Sequence, residues 1–372
     1  MASKSLSNQR STRNREWSPL ELAEVKTPRR IGAIWQPKGA SARRRIKFED
    51  RASCFHVMSR TVNGEMLFGN VEKEAFRRMM WRMASFSGVE VLAYVVMDNH
   101  FHILSKVPNR EKWLSRFEGE EGERRLLKHL GTVYSKKFLI QLEREIEAFR
   151  EQGNELAVEE LLARFRKRFC DISLFVKELK ERFSRWFNKQ QGRRGTLWMD
   201  RFKSVLVDGQ EALATMAAYI DLNPVRAGIV DDPLDYVWSG YGEANAGSRR
   251  AKRGICKALN LPQDSWEARV LPRYRIYLFD QGIEVGDERR PSGHRKRGVK
   301  PEAGIKIQGE KGVVPVARHL RQRISSFSNG IAVGSENFVR RMAARYQGEM
   351  GRQKKREPRE FKMGGRFFVL RE

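Results

Sequence analysis

The sequence predicts an α+β fold in which an antiparallel sheet carries packed helices. Short apolar segments with the period of strands alternate with longer segments of helical spacing, in the order strand, helix, hairpin, helix. This order favours a layer of strands with helices on one face. At 372 residues the chain is long enough for one large or two moderate domains, each with its own core.

The first predicted strand runs through Ser53–Arg60, and the turn signal Val62–Gly64 follows it. A helix is predicted over Phe68–Phe86, with Gly88 just beyond its end. Its apolar side chains recur at helical spacing, at Phe76, Met79, Met80 and Met83.

A hairpin is predicted next, from a strand over Val89–Met97 and a returning strand over His100–Val107, joined at Asp98–Asn99. Period-2 alternation places His100 and His102 on one face of the returning strand, so two nitrogen ligands converge on one point. Taken alone, such a pair is more often two strand histidines satisfied by hydrogen bonds.

Residues 109–190 form a long charged region whose apolar residues recur at three and four. We interpret it as a helical insertion that braces the sheet or clamps DNA, and bracing is the commoner outcome.

Another helix is predicted over Gln210–Ile220, with Tyr219 at the edge of its buried stripe. Asn223 lies four residues further on and falls on the same side if the helix persists that far. Because Pro224 disfavours helical geometry in the residue before it, Asn223 is either the last helical residue or already outside the helix.

The remaining residues, 246–372, predict a basic extension. Gly247–Arg253 has the composition of a linker, and Glu284–Gly304 that of a disordered segment. Two helical patterns between 313 and 346 flank Ser328–Gly330, with Ser335 as a candidate N-cap of the second. They predict either a helix-turn-helix module or an ordinary helical hairpin.

The net charge of +27 is unevenly distributed. Residues 1–50 carry +7, residues 51–245 only +3 and residues 246–372 +17, and residues 1–44 are interpreted as a basic flexible arm. Such flanks are typical of proteins that bind polyanions, and nucleic acid fits better than a membrane surface. No apolar run approaches a membrane span and the three cysteines form no pair, so we expect a cytosolic, DNA-accessible protein.

Four motifs occur in order along residues 45–245: Phe55–Arg60, Tyr94–Leu104, Gly195–Ser204 and Tyr219–Val230. Together they resemble the insertion-sequence-200-like transposases, and in particular the REP-associated tyrosine transposases. Both belong to the HUH (His-hydrophobic-His) superfamily of single-strand DNA nucleases.

The resemblance implies a ferredoxin-like or RRM-like palm sheet and a metal-dependent endonuclease and strand transferase. It makes Tyr219 the nucleophile, forming a 5′-phosphotyrosine intermediate, and His100, His102 and Asn223 the ligands of Mg²⁺ or Mn²⁺. Nitrogen ligands favour Mn²⁺ or a later metal. Phosphate contacts are expected from Arg201, Lys203 and Arg226, although Arg226 could equally anchor the helix end, and Trp198 is the candidate to stack on an unpaired base.

The expected partner is single-stranded or hairpin DNA, handled by a monomer or a homodimer. Two alternatives stay open. A non-catalytic nucleic-acid-binding regulator would lose nothing when Tyr219 is changed to Phe. A metallohydrolase using activated water would still cut DNA after that change, without a protein–DNA adduct.

Overall fold

The protein is described from a computed structural model that covers residues 45–263, 266–282, 325–350, 357–360 and 367–371. The predictions for the arm 1–44, for Glu284–Gly304 and for the first helical pattern from 313 lie outside these residues. One seven-stranded sheet organises the rest, in the order β2-β3-β1-β4-β5-β7-β6. Its strands are β1 (Ser53–Arg60), β2 (Glu90–Val96), β3 (His100–Val107), β4 (Lys203–Val207), β5 (Gly330–Gly334), β6 (Arg359–Glu360) and β7 (Phe368–Arg371).

The helices are more numerous than the strands and lie mostly between β3 and β4 or after β4. They are α1 (Asn70–Ser87), α2 (Arg110–Leu114), α3 (Gly122–Leu130), α4 (Lys136–Glu151), α5 (Glu155–Arg166), α6 (Ile172–Gln190), α7 (Gln210–Asp221), α8 (Asn223–Arg226), α9 (Gly240–Asn245), α10 (Arg249–Leu259), α11 (Leu271–Gly282), α12 (Ser325–Asn329) and α13 (Glu336–Met350). The predicted α+β class is confirmed.

Strands β1 to β4 form an antiparallel unit in the order β2-β3-β1-β4. This is the order of a ferredoxin-like β-α-β-β-α-β unit, in which α1 and α6 are the two crossover helices. The hairpin between β2 and β3 is closed by a bond from the Met97 amide to the His100 carbonyl, at 2.8 Å. The palm sheet implied by the sequence motifs is therefore present.

Helices cover both faces of this sheet, which corrects the expectation of helices on one face. On one side Phe101 packs against Phe76 of α1, with 4.7 Å between ring centroids, and Phe76 contacts Phe183 of α6. The next residue of β3, His102, faces the opposite side and meets Tyr219 of α7. Since successive strand residues alternate, α7 lies across the sheet from α1 and α6.

The helical insertion braces the layer of α1. The Cys170 amide, just before α6, donates to the carbonyl of Ser87 at the end of α1, at 2.8 Å. In the same region Nε2 of His129, on α3, donates to the Phe86 carbonyl at 2.8 Å. These contacts support the bracing interpretation of residues 109–190.

The described part of the basic extension contributes strands to the sheet. Strand β5 pairs in parallel with β4, and the Asp208 amide donates to the Val333 carbonyl at 2.9 Å. Ser335 caps α13 by accepting from the Phe338 amide at 3.3 Å, as predicted. The predicted helical hairpin is wrong in its described part, because Ser328–Gly330 leads from α12 into a strand instead of turning back into a helix.

The predicted linker Gly247–Arg253 is also corrected, because α10 begins at Arg249 and packs against β2. A Cβ at Gly254 would lie 2.6 Å from the Val91 carbonyl oxygen, so the helix touches the strand backbone where it has no side chain. None of the helices in the described ranges is both long and apolar enough to cross a bilayer.

Candidate active site

Three imidazoles meet on the face of the sheet that α7 covers. In the antiparallel register of β1 and β3, Met58 lies opposite His102 and Arg60 opposite His100. His100 and His102 therefore point to the same side as His56, two residues before Met58. The ring centroids of His100 and His102 are 5.1 Å apart, and those of His56 and His102 are 5.0 Å apart.

The phenol ring of Tyr219 stands edge-on above two of these imidazoles. Its centroid lies 6.0 Å from that of His102 and 6.1 Å from that of His56, with interplanar angles of 88° and 79°. Helix α7 places Tyr219 there because all its residues from Thr215 to Asp221 are buried, so the helix is fixed on every side. The structure thus brings together Tyr219, His100 and His102, which the sequence motifs single out.

His102 is held by a second imidazole. Its Nδ1 lies 2.8 Å from Nε2 of His56, and Nδ1 of His56 lies 2.7 Å from the carbonyl oxygen of Phe327. Burial lowers the pKa of His56 to about 4, against a smaller opposite effect of the Phe327 carbonyl, so its ring is neutral at pH 7.

His100 is held from the β2–β3 turn. Its Nδ1 lies 2.6 Å from Oδ1 of Asn99, and Nδ2 of Asn99 donates to the carbonyl of Gly64 at 2.7 Å. Gly64 lies in a short 3-10 turn, Val62–Gly64, that follows β1. The turn after β1 and the turn before β3 therefore fix the first imidazole of the pair jointly.

The donor chemistry of these residues fits a divalent cation. Both imidazoles engage Nδ1 in hydrogen bonds, so Nε2 is in each ring the nitrogen for a metal, as in metal sites whose other ring nitrogen is held by a second residue. Among the described residues there is no cluster of three or more His, Cys, Asp and Glu side chains that could hold a metal ion. An amide oxygen is another donor group that divalent cations accept.

Asn223 is the amide that the motifs propose. It begins α8 one residue after α7 ends, since Leu222 keeps near-helical angles and the chain continues past Pro224. Its Nδ2 donates to the carbonyls of Tyr219 and Ile220, at 2.9 and 3.2 Å. Because both bonds use amide hydrogens, Oδ1 is the atom that could serve as a ligand.

Arg226 anchors the same helix end and also faces the phenol. Its guanidinium carbon lies 4.4 Å from the ring centroid of Tyr219, and Nη2 donates to the Tyr219 carbonyl. Burial lowers the pKa of Arg226 to about 10, so the side chain stays cationic at neutral pH. A cation on the ring face stabilises negative charge that develops on the phenol.

Two residues of the extension cover Tyr219. The ring of Phe327 packs edge-on against it, and Oγ of Ser328 lies 3.4 Å from its hydroxyl oxygen. Tyr219 is 2% exposed and Phe327 1% exposed, so the phenol is sealed in this conformation.

Of the other predicted contacts, Arg201 and Lys203 are exposed at the start of β4. Lys203 lies on the face of the imidazoles, opposite Met58, and donates to Oδ1 of Asn329 at 2.7 Å. Burial, and to a smaller extent the charge of Arg201, lowers the pKa of Arg45 to about 10, against a small opposite effect of Asp171. The beginning of β4 is therefore strongly positive.

Trp198 is a core residue, which corrects its assignment as a base-stacking contact. It is 8% exposed, and its indole nitrogen donates to the Lys180 carbonyl at 3.2 Å. Its ring lies between four phenylalanine rings, those of Phe68, Phe76, Phe101 and Phe183. An unpaired base has no access to it.

Sequence reasoning missed Asn99, Phe327 and Ser328 as parts of the site, and it left open whether His56 supports the site or simply packs. His56 carried a signal, because period 2 on the first strand places it with the histidine pair if β1 and β3 are neighbours. Phe327 and Ser328 carried none, because their approach depends on a strand pairing between distant parts of the chain.

No family model and no curated protein matches the sequence of this chain. A solved structure of a REP-associated tyrosine transposase bound to a REP hairpin superposes on it with a TM-score of 0.35 and 16% identity. The superposition covers 56% of this chain and 87% of that one.

Proposed function

We propose that the protein is a metal-dependent single-strand DNA endonuclease and strand transferase in which Tyr219 is the nucleophile. The observation that carries the proposal is the seating of the Tyr219 phenol edge-on to the His102 imidazole, with 6.0 Å between the ring centroids, while the His100 ring lies 5.1 Å from that of His102. A nucleophile beside a cation site is the arrangement that phosphodiester cleavage requires.

In the proposed reaction the Tyr219 oxygen attacks the phosphorus of a phosphodiester. A bond forms between that oxygen and phosphorus, the bond to the 3′ oxygen breaks, the phenol loses its proton and the departing oxygen gains one. Because the phosphotyrosine ester keeps the reactivity of the original bond, a free 3′-hydroxyl reverses the step on the same or another strand. Cleavage and rejoining are one reversible reaction, and no nucleotide triphosphate is consumed.

His100 and His102 would hold the divalent cation, Mn²⁺ or Mg²⁺, with Asn223 Oδ1 as the proposed third ligand. When bound, such a cation neutralises charge on a non-bridging phosphate oxygen. Arg226 stabilises the charge that develops on the phenol from the ring face. Arg201 and Lys203 supply cationic contacts for the DNA backbone beside the site.

Attack of Tyr219 on a phosphodiester requires α12 to move. A phosphate cannot reach a hydroxyl that Phe327 and Ser328 cover, so the described conformation is a closed one. Helix α12 has only five residues, and it carries both Phe327 and Ser328.

The test mixes the protein with labelled single-stranded hairpin oligonucleotides and Mn²⁺ and looks for a denaturant-resistant protein–DNA adduct. The adduct is expected with the wild-type protein and lost in Tyr219→Phe, His100→Ala and His102→Ala. Tyr134→Phe is the matched control, because Tyr134 lies in the helical insertion, where its hydroxyl accepts from Arg168.

Two outcomes reject the proposal in different ways. Cutting without an adduct, equally fast in Tyr219→Phe, would show an activated water as the nucleophile. Hairpin binding that none of the variants changes, with no cutting in any divalent ion, would show a binding protein.

A further inference from the structure

We propose that His56 and Asn99 are positioning residues that hold His102 and His100 in the Nδ1–H tautomer. Each does so through a hydrogen-bond chain that ends on a backbone carbonyl. This inference rests on the proposed function, because the two imidazoles matter as a pair of Nε2 donors for the cation.

The first chain runs from the Phe327 carbonyl through His56 to His102. A carbonyl oxygen only accepts, so the hydrogen of the 2.7 Å contact belongs to Nδ1 of His56. His56 is 1% exposed, and burial disfavours the charged form of an imidazole, so its ring has one N–H and its Nε2 is an acceptor. The hydrogen of the 2.8 Å contact between the rings therefore belongs to Nδ1 of His102, whose lone pair is then on Nε2.

The second chain runs from the Gly64 carbonyl through Asn99 to His100. The Gly64 oxygen takes an amide hydrogen of Asn99 at 2.7 Å, which fixes the orientation of the side-chain amide and turns Oδ1 toward His100. Oδ1 accepts only, so the 2.6 Å contact is donated by Nδ1 of His100. The lone pair of this imidazole is again on Nε2.

The two chains are independent in sequence and converge on the same result. One uses β1 and the extension, and the other uses the two turns beside β1 and β3. In each chain a main-chain carbonyl sets the direction in which the hydrogen bonds are donated, and no side-chain substitution removes that acceptor. Groups that fix the tautomer of metal-binding histidines typically contribute 10–100-fold in metal affinity.

The first measurement uses the metal-free wild-type protein and does not depend on activity. Selective ¹⁵N labelling of the six histidines, followed by long-range ¹H–¹⁵N correlation, reports which ring nitrogen carries the proton. His100 and His102 are expected as Nδ1–H tautomers, assigned by the loss of their signals in single His→Ala variants. An Nε2–H tautomer at either position in the wild-type protein overturns the proposal.

The second measurement is Mn²⁺ binding, followed by electron paramagnetic resonance of free Mn²⁺ and by calorimetry. His56→Leu and Asn99→Leu are each expected to weaken binding by about 10–100-fold. His56→Gln keeps an acceptor near the Nε2 position and is expected to retain most of the affinity. His129→Leu is the matched control, because His129 is bonded to the Phe86 carbonyl in the helical insertion.

These results separate the two proposals. If the wild-type protein binds no Mn²⁺ and forms no adduct while both tautomers are as expected, the proposed function fails and the positioning chains stand. If the adduct forms but His56→Leu binds Mn²⁺ as tightly as His129→Leu, the positioning role is overturned and the function stands.

Discussion

The ring of Phe327 meets the ring of Tyr219 edge to face, with 5.2 Å between their centroids. A residue of the C-terminal extension thereby covers the proposed nucleophile of the palm, and the adjoining Ser328 hydroxyl lies 3.4 Å from the phenol oxygen. The same segment supplies the carbonyl that holds His56.

Shortening the covering side chain is expected to speed adduct formation. Phe327→Leu keeps an apolar core residue and the main-chain carbonyl, at the cost in stability of the small cavity that the lost ring atoms leave. The rate of adduct formation on a labelled hairpin should rise several-fold. Phe338→Leu, a buried change on α13, is the control, and equal rates in both variants would show that the Phe327 ring does not limit access.

Asp221 gives the stability of the protein a pH dependence of unusual sign. It is fully buried, and burial raises its pKa to about 7, with hydrogen bonds from the Tyr274 hydroxyl, at 2.5 Å, and the Tyr241 amide acting in the opposite direction. The folded state therefore binds more protons than the unfolded state between about pH 4 and pH 7, and stability contributed by this carboxyl falls as the pH rises through that window.

Urea unfolding at pH 5 and pH 8 measures the effect. Asp221→Asn should remove it and stabilise the protein at pH 8 relative to the wild type, by at most roughly 4 kcal/mol for a shift of this size. Asp235→Asn, at an exposed position, should leave the difference between the two pH values unchanged. If the free energy of unfolding of Asp221→Asn falls from pH 5 to pH 8 by as much as that of the wild type, ionisation of the Asp221 carboxyl does not destabilise the folded protein.

Docking of the extension depends on the absence of a side chain at Gly334, where β5 meets α13. A Cβ there would lie 2.7 Å from the Asp208 carbonyl oxygen and 2.8 Å from the Phe338 ring. Gly334→Ala is expected to destabilise the protein by about 1–3 kcal/mol, because the Asp208 backbone cannot yield without disturbing β4. Gly348→Ala, with open space around it on α13, should instead stabilise by about 0.5–1 kcal/mol. Thermal unfolding of both variants compares them.

The cationic residues at the start of β4 are expected to contribute to the salt dependence of DNA binding. Arg201→Ala and Lys203→Ala should each lower the salt dependence of single-strand DNA affinity by about 0.7 in log–log slope, one phosphate contact each. Lys177→Ala, an exposed lysine of the helical insertion, serves as the control. Unchanged slopes in both variants would place the DNA path elsewhere.

Trp198→Phe should lower stability and leave the salt slope and the affinity as they are. The change removes the bond to the Lys180 carbonyl and part of the packing among four phenylalanine rings. A loss of DNA affinity in a folded Trp198→Phe protein would return this residue to the interface.

Elements with strong local signals could be predicted from the sequence. Strand β3 has the predicted bounds His100–Val107, because its alternation is regular and the hairpin turn precedes it. Tyr219 and the two imidazoles could be brought together only through motif resemblance, and their roles stay predictions. Aromatic residues in a basic stretch are core residues more often than not, and Trp198 is one of them. Composition alone does not distinguish such a residue from one that stacks on an unpaired base.

Other features had no local signal. Strand β5 has five residues and pairs with a strand more than a hundred positions earlier, so nothing in its own sequence announces the pairing. Helix α7 is apolar on nearly every side, so it is buried both by the sheet and by a further layer beyond it. This further layer cannot be inferred from the helix pattern until the position of the sheet is known. The positions of hydrogens between His56 and His102 follow from which atoms meet, which a residue pattern does not specify.

The bond between His56 and the Phe327 carbonyl joins residues 271 positions apart. During synthesis the palm strands and Tyr219 leave the ribosome long before the segment that orients and covers them. In a nascent or truncated chain that lacks this segment, Tyr219 would thus be uncovered and His56 would lack its carbonyl partner. The ordering of the imidazoles and the covering of Tyr219 would then occur together, late in folding, as expected for contacts of high sequence separation.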